Sequence, residues 1–356
     1  MIFPYTVRYG KPLFRLAARK GGNVADRIAA NPGGDPHRPC ICIGQTVAVA
    51  PGRAMEAVDT ANPYDYERMM EDLGLLKQRY PFLAVESIGR SVLGKTIPSI
   101  RIGSGPAEVH YNGSFHANEW ITSLLLMKFI EDYASAYVNG APLGAWDVRP
   151  LFEQTSLWIV PMVNPDGVEL VLRGLSRENP YYRQLMEWNC GLQDFSGWKA
   201  NIRGVDLNDQ FPAHWEIERD RRGVPGPGPR DYTGMAPLSE PEALAMAEFT
   251  KSRNFQLVAA LHTQGKEIYW NYRDLEPRES EAIACRLASV SGYEAVKLHG
   301  SDAGYKDWFI QEFRRPGFTV EAGLGVNPLP VSQFGEMYRE IAPLLLEGLA
   351  SVSIKS

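Results

Sequence analysis

The sequence predicts an α/β fold around a mostly buried sheet, preceded by a small βααβ unit. Three observations carry that prediction. Short apolar runs ending in turn residues alternate with segments of helical period, the pattern of strands joined by helices. Residues 257–261 form an apolar run with no polar break, as expected of a strand buried on both faces. The first 52 residues have their own order of strand, helix, helix and strand, and stop at Pro51-Gly52.

In that first unit, Tyr5-Thr6-Val7-Arg8-Tyr9 reads as a strand with Thr6 and Arg8 outward, turned by Gly10. Pro12 suits a first helical position, after which Leu13, Leu16 and Ala17 recur at helical spacing. Val24, Ile28 and Ala29 mark a second short helix that stops at Asn31-Pro32-Gly33-Gly34. Val47 and Val49 alternate in a closing strand. Residues 53–62 read as a linker and residues 63–356 as a larger domain.

The larger domain opens with an amphipathic helix through Tyr66, Met69, Met70, Leu73, Leu76 and Tyr80, stopped by Pro81. Strands at 83–88 and 96–102 follow. His110-Tyr111-Asn112 is a short strand that turns at Gly113-Ser114. It presents His116-Ala117-Asn118-Glu119 and continues as an apolar helix over 120–130. Residues 155–163 form an apolar strand ending in the turn sequence Asn164-Pro165-Asp166-Gly167. The stretch 174–239 is irregular, but its many aromatics predict packed rather than disordered chain. Ser239 and Glu242 form a capping box for the next helix. The buried strand at 257–261 then leads to His262. A helix covers 277–291, a strand at 317–320 leads to Glu321, and a helix over 333–352 closes the chain.

Composition narrows the function classes. Net charge is −5, so there is no basic footprint for nucleic acid. No apolar run approaches the roughly 18 residues needed to span a bilayer, and no membrane span is expected. The N-terminus lacks the basic head and apolar core of a secretory signal. The expected location is therefore the cytoplasm, or the spore or cell wall after loss of a leader or release by lysis. The four cysteines (Cys40, Cys42, Cys190, Cys285) are too few and scattered for a disulfide framework or a zinc ribbon.

The chemistry begins at His116 and Glu119. An imidazole and a carboxylate three residues apart, on a turn entering a helix, can reach one ion from the same side. A third ligand has to come from elsewhere. Of the six histidines (His37, His110, His116, His214, His262, His299), His262 is best placed, because it follows a buried strand. Glu321 also sits at a strand end, where ligands bind in open α/β sheets. Two His and one Glu leave a fourth position for water, the composition of a catalytic rather than a structural zinc site.

Several motifs fall in one order along this domain. They are His116-x-x-Glu119, Pro161-x-x-Asn164-Pro165-Asp166-Gly167, Arg203-Gly204-Val205-Asp206-Leu207-Asn208, Glu240-Pro241-Glu242, His262 and Glu321. Together they resemble the zinc metallocarboxypeptidases (funnelins). The resemblance implies a mixed sheet flanked by helices and one zinc ion held by His116, Glu119 and His262. It also implies Glu321 as general base, Arg203 on the developing oxyanion, and Asn208 on a polar group of the substrate.

The first unit resembles a lysin motif (LysM) at Tyr5-Thr6-Val7, Gly10, Leu13, Ala17, Ile28, Asn31-Pro32, Gly44-Gln45 and Val47. That resemblance implies binding of an N-acetylglucosamine-containing glycan at Gly10, Lys11, Asn31 and Pro32. Lys11-Pro12 stands where that family has Asp followed by Thr or Ser. This removes a helix cap worth about 0.5–2 kcal/mol and alters a loop lining the glycan groove.

The larger domain also departs from its family. In carboxypeptidases an Arg follows the motif Asn and grips the substrate's C-terminal carboxylate; here Asp209 stands there, which argues against simple C-terminal trimming. Asp209 either meets a substrate ammonium or makes a structural hydrogen bond. Counting back from Asp307-Trp308 puts His299 at the family's mobile, substrate-contacting Tyr; Tyr305 is the other candidate. Lys306 falls near the base of the pocket for the leaving residue, unless it is a surface lysine. The run Asn208-Asp209-Gln210-Phe211-Pro212-Ala213-His214-Trp215, with a LysM unit in front, resembles the γ-D-glutamyl-L-diamino acid endopeptidases. That subgroup implies cleavage between γ-D-Glu and meso-diaminopimelate in peptidoglycan stem peptides, Asp209 and Lys306 complementing the ammonium and carboxylate of the diamino acid. The alternatives are a conventional metallocarboxypeptidase and a non-catalytic peptidoglycan-binding protein.

Overall fold

The computed structural model describes residues 3–6, 46–49 and 56–353. The chain divides into two compact units, Met1–Asp59 and Thr60–Ser356. In the first, β1 (Phe3–Thr6) pairs antiparallel with β2 (Thr46–Val49), Tyr5 opposite Val47. The helices expected between them, with Gly10, Lys11, Asn31 and Pro32, lie outside the described residues.

In the second unit eight strands form one mixed sheet. They are β3 (Ala84–Arg90), β4 (Thr96–Gly103), β5 (Ala107–Gly113), β6 (Thr155–Val160), β7 (Phe255–His262), β8 (Glu267–Tyr269), β9 (Glu294–Val296) and β10 (Gly317–Glu321), in the order β3-β4-β6-β5-β7-β10-β8-β9. The central four, β6, β5, β7 and β10, run parallel; β4 and β8 flank them antiparallel. β6 is buried throughout and so is β7 from Leu257 onward. Each buried Leu or Val contributes about 1.5–3 kcal/mol of transfer free energy, before the entropy of ordering is subtracted. The consequence for function is geometric. β5, β7 and β10 end side by side, with Gly113 opposite Leu261 and His262 opposite Glu321.

Helices cover the sheet. α1 (Tyr66–Arg79) is capped by Asp65, which accepts from Arg68 N, and buries Met69, Leu73 and Leu76. α2 (Ile121–Asn139) runs well past the expected end at Ile130. Glu131 and Asp132 do not end it, because Lys128 Nζ lies 3.2 Å and 2.9 Å from their carboxylates. The left-handed Gly140 (φ 59°) does end it. α3 (Val148–Gln154) was not expected. α4 (Pro165–Arg173) starts where the sequence reads as a turn. Asn164 accepts from Gly167 N and Pro165 takes the first helical position, so one tetrapeptide fits both readings; burial of Val168 and Leu170 favours the helix. The stretch 174–239 holds α5 (Tyr182–Trp188), the 3-10 turn Leu207–Asp209 and α6 (Trp215–Arg222). It is packed: Phe195, Trp198, Phe211 and Trp215 are all buried. α7 (Pro241–Lys251), α8 (Glu279–Ser291), α9 (Tyr305–Phe313) and α10 (Phe334–Ser353) complete the unit.

The capping box expected at Ser239 and Glu242 does not form. Glu240 is the N-cap of α7 and Ser239 Oγ donates to Gln210 Oε1. Glu242 instead reaches across to accept from Val92 N at 3.0 Å, docking the turn between β3 and β4. Burial pushes the Glu242 carboxyl up to about 7 from 4.5. Between those values the folded chain binds more protons at this group than the unfolded chain, so its contribution to stability falls as pH rises. Glu242→Gln keeps an acceptor for Val92 N and removes the titration. Denaturation midpoints of the variant are expected to lose this fall between about pH 4.5 and 7 and to exceed wild type at pH 8. Equal pH profiles would remove the assignment.

Candidate active site

The loop that carries the first two ligands is held by its own polar side chains. Gly113 ends β5 against α2: a Cβ there would meet Thr122 Oγ1 at 2.9 Å. Ser114 follows in the left-handed region (φ 52°), its N–H donating to Thr122 Oγ1 and its hydroxyl bonded to Ser123 Oγ at 2.7 Å. His116 then precedes a 3-10 turn, Ala117–Glu119, which brings imidazole and carboxylate to one side. Asn164 Nδ2 donates to Phe115 O and Ala200 O, tying this loop to the 200 region.

Three ligand atoms converge. His116 Nδ1 lies 2.8 Å from Glu119 Oε1. His262 Nδ1 lies 3.0 Å from Glu119 Oε2 and 3.1 Å from His116 Nδ1. All three residues are buried, and among the described residues they form a group able to hold a metal. Asp206 Oδ1 sits 3.2 Å from His116 Nε2, which favours the proton on that nitrogen and leaves the Nδ1 lone pair for an ion. The donor set of two imidazole nitrogens and a carboxylate fits zinc with an open position.

Electrostatics distinguish the two carboxylates. Burial alone would raise Glu119, but His116 and His262 outweigh it and bring Glu119 to about 2. Glu321 ends β10 beside His262, and burial, with Glu119 adding to it, pushes its carboxyl up to about 7 against the pull of His262 and Lys199. Glu119, flanked by the two imidazoles, thus favours its anion, while burial at the end of β10 raises the proton affinity of Glu321.

Lys199 is the residue that sequence reasoning missed. Its Nζ lies 3.0 Å from Asp206 Oδ2, completing a chain Lys199–Asp206–His116. Burial would discharge it, but Asp206, Asp209 and Glu119 outweigh that and raise it. Its charge acts on His262 and Glu321 as well. Arg203, expected on the oxyanion, is placed differently. Its side chain is 42% exposed, its Nε donates to Tyr181 OH at 3.3 Å, and Nη1 lies 3.7 Å from Glu240. The cation that faces the ligands is Lys199, four positions earlier. Arg203→Ala is expected to leave kcat/KM within roughly twofold, the scale of a surface change; a loss above tenfold in a peptidase assay would restore Arg203 to the site.

The remaining expected residues divide. Asn208 Oδ1 accepts from Tyr305 N at 3.3 Å, at the start of α9. Asp209 does not present a spare carboxylate to an ammonium: it is 3% exposed, and Arg222 from α6 lies 3.0 Å from its Oδ1 and 2.8 Å from its Oδ2. Tyr305 is fully buried with its hydroxyl 2.9 Å from Thr250 Oγ1, so it belongs to the core and not to a substrate surface. His299 is exposed and lines a cavity with Lys306. Lys306 is not a surface lysine: it is 5% exposed and its Nζ donates to Asn271 O at 2.6 Å.

This fold and donor set define a class. The zinc carboxypeptidase family pattern matches residues 69–336, and the chain belongs to that family: it is a metallopeptidase. Its sequence is 54% identical over 286 residues to γ-D-glutamyl-L-diamino acid endopeptidase 1 of Lysinibacillus sphaericus, covering 80% of this chain and 72% of that protein. It is 42% identical over 290 residues to YqgT of Bacillus subtilis (strain 168), covering 80% and 77%. The bovine thrombin-activatable fibrinolysis inhibitor shares the fold, with a TM-score of 0.64 at 18% identity over 82% of this chain and 98% of that one.

Proposed function

We propose that this metallopeptidase hydrolyses the bond between γ-D-Glu and meso-diaminopimelate in peptidoglycan stem peptides. The observation that carries the chemistry is the convergence of His116, Glu119 and His262, with Glu321 beside them. The substrate reading is supported by the 54% identity to a protein named for the γ-D-glutamyl-L-diamino acid bond.

His116, Glu119 and His262 would hold one zinc ion. When bound, zinc supplies a Lewis acid that polarises a carbonyl and lowers the pKa of water to about 7. Glu321 takes the proton of the attacking water and passes it to the leaving nitrogen, a cycle that suits a carboxyl titrating near 7. Lys199 sets a positive charge toward the oxygen that becomes anionic. Asp206 orients His116 and balances Lys199. Asn208 stands at the mouth of α9 for a polar group of the substrate.

Mass analysis of products from L-Ala-γ-D-Glu-meso-diaminopimelate tests the reading. L-Ala-D-Glu and free diaminopimelate are expected. An intact tripeptide, beside trimming of ordinary peptide C-termini, would contradict it and favour a conventional carboxypeptidase. We further infer, from the LysM resemblance alone, that the first unit binds an N-acetylglucosamine-containing glycan. The full chain should then sediment with purified glycan strands, and failure to do so removes that inference.

A further inference from the structure

The chain that follows Glu321, residues 322–330, is tied to the segment that follows His262. Ala322 N donates to His262 O at 2.8 Å, Gly265 N to Gly323 O at 2.9 Å, and Gly325 N to Gln264 Oε1 at 3.3 Å. Leu324 and Val326 are exposed at the tip of this loop, and Leu329 is buried again at its far end. Asn327 stands where the loop returns and is half-buried.

The Asn327 amide uses its acceptor and its donors on two segments of the metal site. Thr263 Oγ1 donates to Asn327 Oδ1 at 2.7 Å, and Asn327 Nδ2 donates to Thr263 O at 2.8 Å. A peptide carbonyl can only accept, so the atom facing Thr263 O is the amide nitrogen, and the amide has one orientation. The same nitrogen carries a second N–H, and Glu119 Oε1 lies 3.4 Å from it. An ionised aspartate at this position would have no proton for either acceptor, and alanine would reach neither. Among the described residues, the Glu119 carboxylate otherwise hydrogen-bonds only to His116 and His262. Both imidazoles are needed for the ion, which leaves Asn327 as the donor that can orient this carboxylate in the loaded site.

We propose that Asn327 is a positioning residue for the metal centre, holding the Glu119 carboxylate and the chain next to His262 in one arrangement. This role rests on the zinc reading of His116, Glu119 and His262 and adds what orders that ligand set. Asn327 acts through Glu119, and Thr263 acts through Asn327 by fixing its amide. The loop begins at Glu321, so the general base and the orientation of a ligand come from one segment. Without the amide the carboxylate gains rotational freedom, and zinc binding has to supply the ordering. Loss of a ligand's hydrogen-bonding partner costs about 10–100-fold in metal affinity. A bond of 3.4 Å is long, which puts the effect at the low end of that range.

Competition for zinc between the metal-free full chain and a chromophoric chelator of known affinity tests this without substrate. Asn327→Ala is expected to raise the zinc Kd about tenfold. Thr263→Val, which removes the hydroxyl that fixes the amide, should raise it by a smaller factor. Thr263→Ser, which keeps the hydroxyl, should bind zinc as wild type does. The double variant Thr263→Val, Asn327→Ala should bind no more weakly than Asn327→Ala alone, because one side chain acts through the other. Two independent structural contributions would instead give losses that multiply. Unchanged zinc affinity in Asn327→Ala, or multiplied losses in the double variant, would overturn the assignment. If Asn327→Ala does not fold, the Thr263 pair decides, and a Thr263→Val chain with wild-type zinc affinity overturns it. The other readings fail separately. A wild-type chain that takes up no zinc contradicts the ligand set, and this role with it. A chain with the expected zinc affinities that leaves the tripeptide uncut contradicts the substrate alone.

Discussion

Glu321→Gln is expected to give a folded, zinc-binding chain whose kcat on the stem tripeptide is lower by about 10²–10⁴-fold, the range for loss of a positioned general base. The substitution keeps shape and removes only the ability to take a proton. Glu321 lies at the end of β10, in register with His262, so nothing in the strand needs to move. KM should change little, because the group acts on the proton in flight and not on the ground-state substrate. Zinc content measured on the same preparation separates this from loss of the metal. Near-wild-type kcat would require another base.

Lys199→Met is the second large effect. Methionine fills the buried space of the lysine without its charge. The variant is expected to lose about 10²–10³-fold in kcat, the scale of one lost oxyanion donor, while Lys199→Arg recovers part of the rate. Asp206 loses its partner in Lys199→Met but keeps His116, so zinc should still bind. Steady-state kinetics of Lys199→Met and Arg203→Ala side by side decide which cation faces the reaction. A large loss on Arg203 and none on Lys199 would reverse the assignment.

Much of the site was legible because its residues sit at element ends with strong local signals. His116 and Glu119 lie between a short strand and an apolar helix, and His262 follows an unbroken apolar run. Glu321 was readable for the same reason. β8 and β9 were not, since three residues each, Glu267–Tyr269 and Glu294–Val296, carry no periodicity and exist through pairing with β10 and with one another. Lys199 was missed because it lies in an irregular stretch whose fold comes from tertiary packing. A lone lysine between Trp198 and Ala200 in an aromatic stretch was the available signal.

Asp209 shows the limit most clearly. Its partner Arg222 lies thirteen residues on, in a helix so rich in charge (Glu216, Glu218, Arg219, Asp220, Arg221) that it reads as solvated surface. Packing turns that helix inward far enough for Arg222 to reach the Asp209 carboxylate. The feature that looked like the substrate's ammonium site is occupied from within.

One metal ion, held by His116, Glu119 and His262, would drive cleavage of the stem peptide. Titration of zinc into metal-free protein, read by release of diaminopimelate from L-Ala-γ-D-Glu-meso-diaminopimelate, tests that most directly. No release before zinc, a linear rise, and a plateau at one zinc per chain are expected. His262→Ala should stay silent throughout. Release that is independent of zinc, or an undiminished response from His262→Ala, would contradict it.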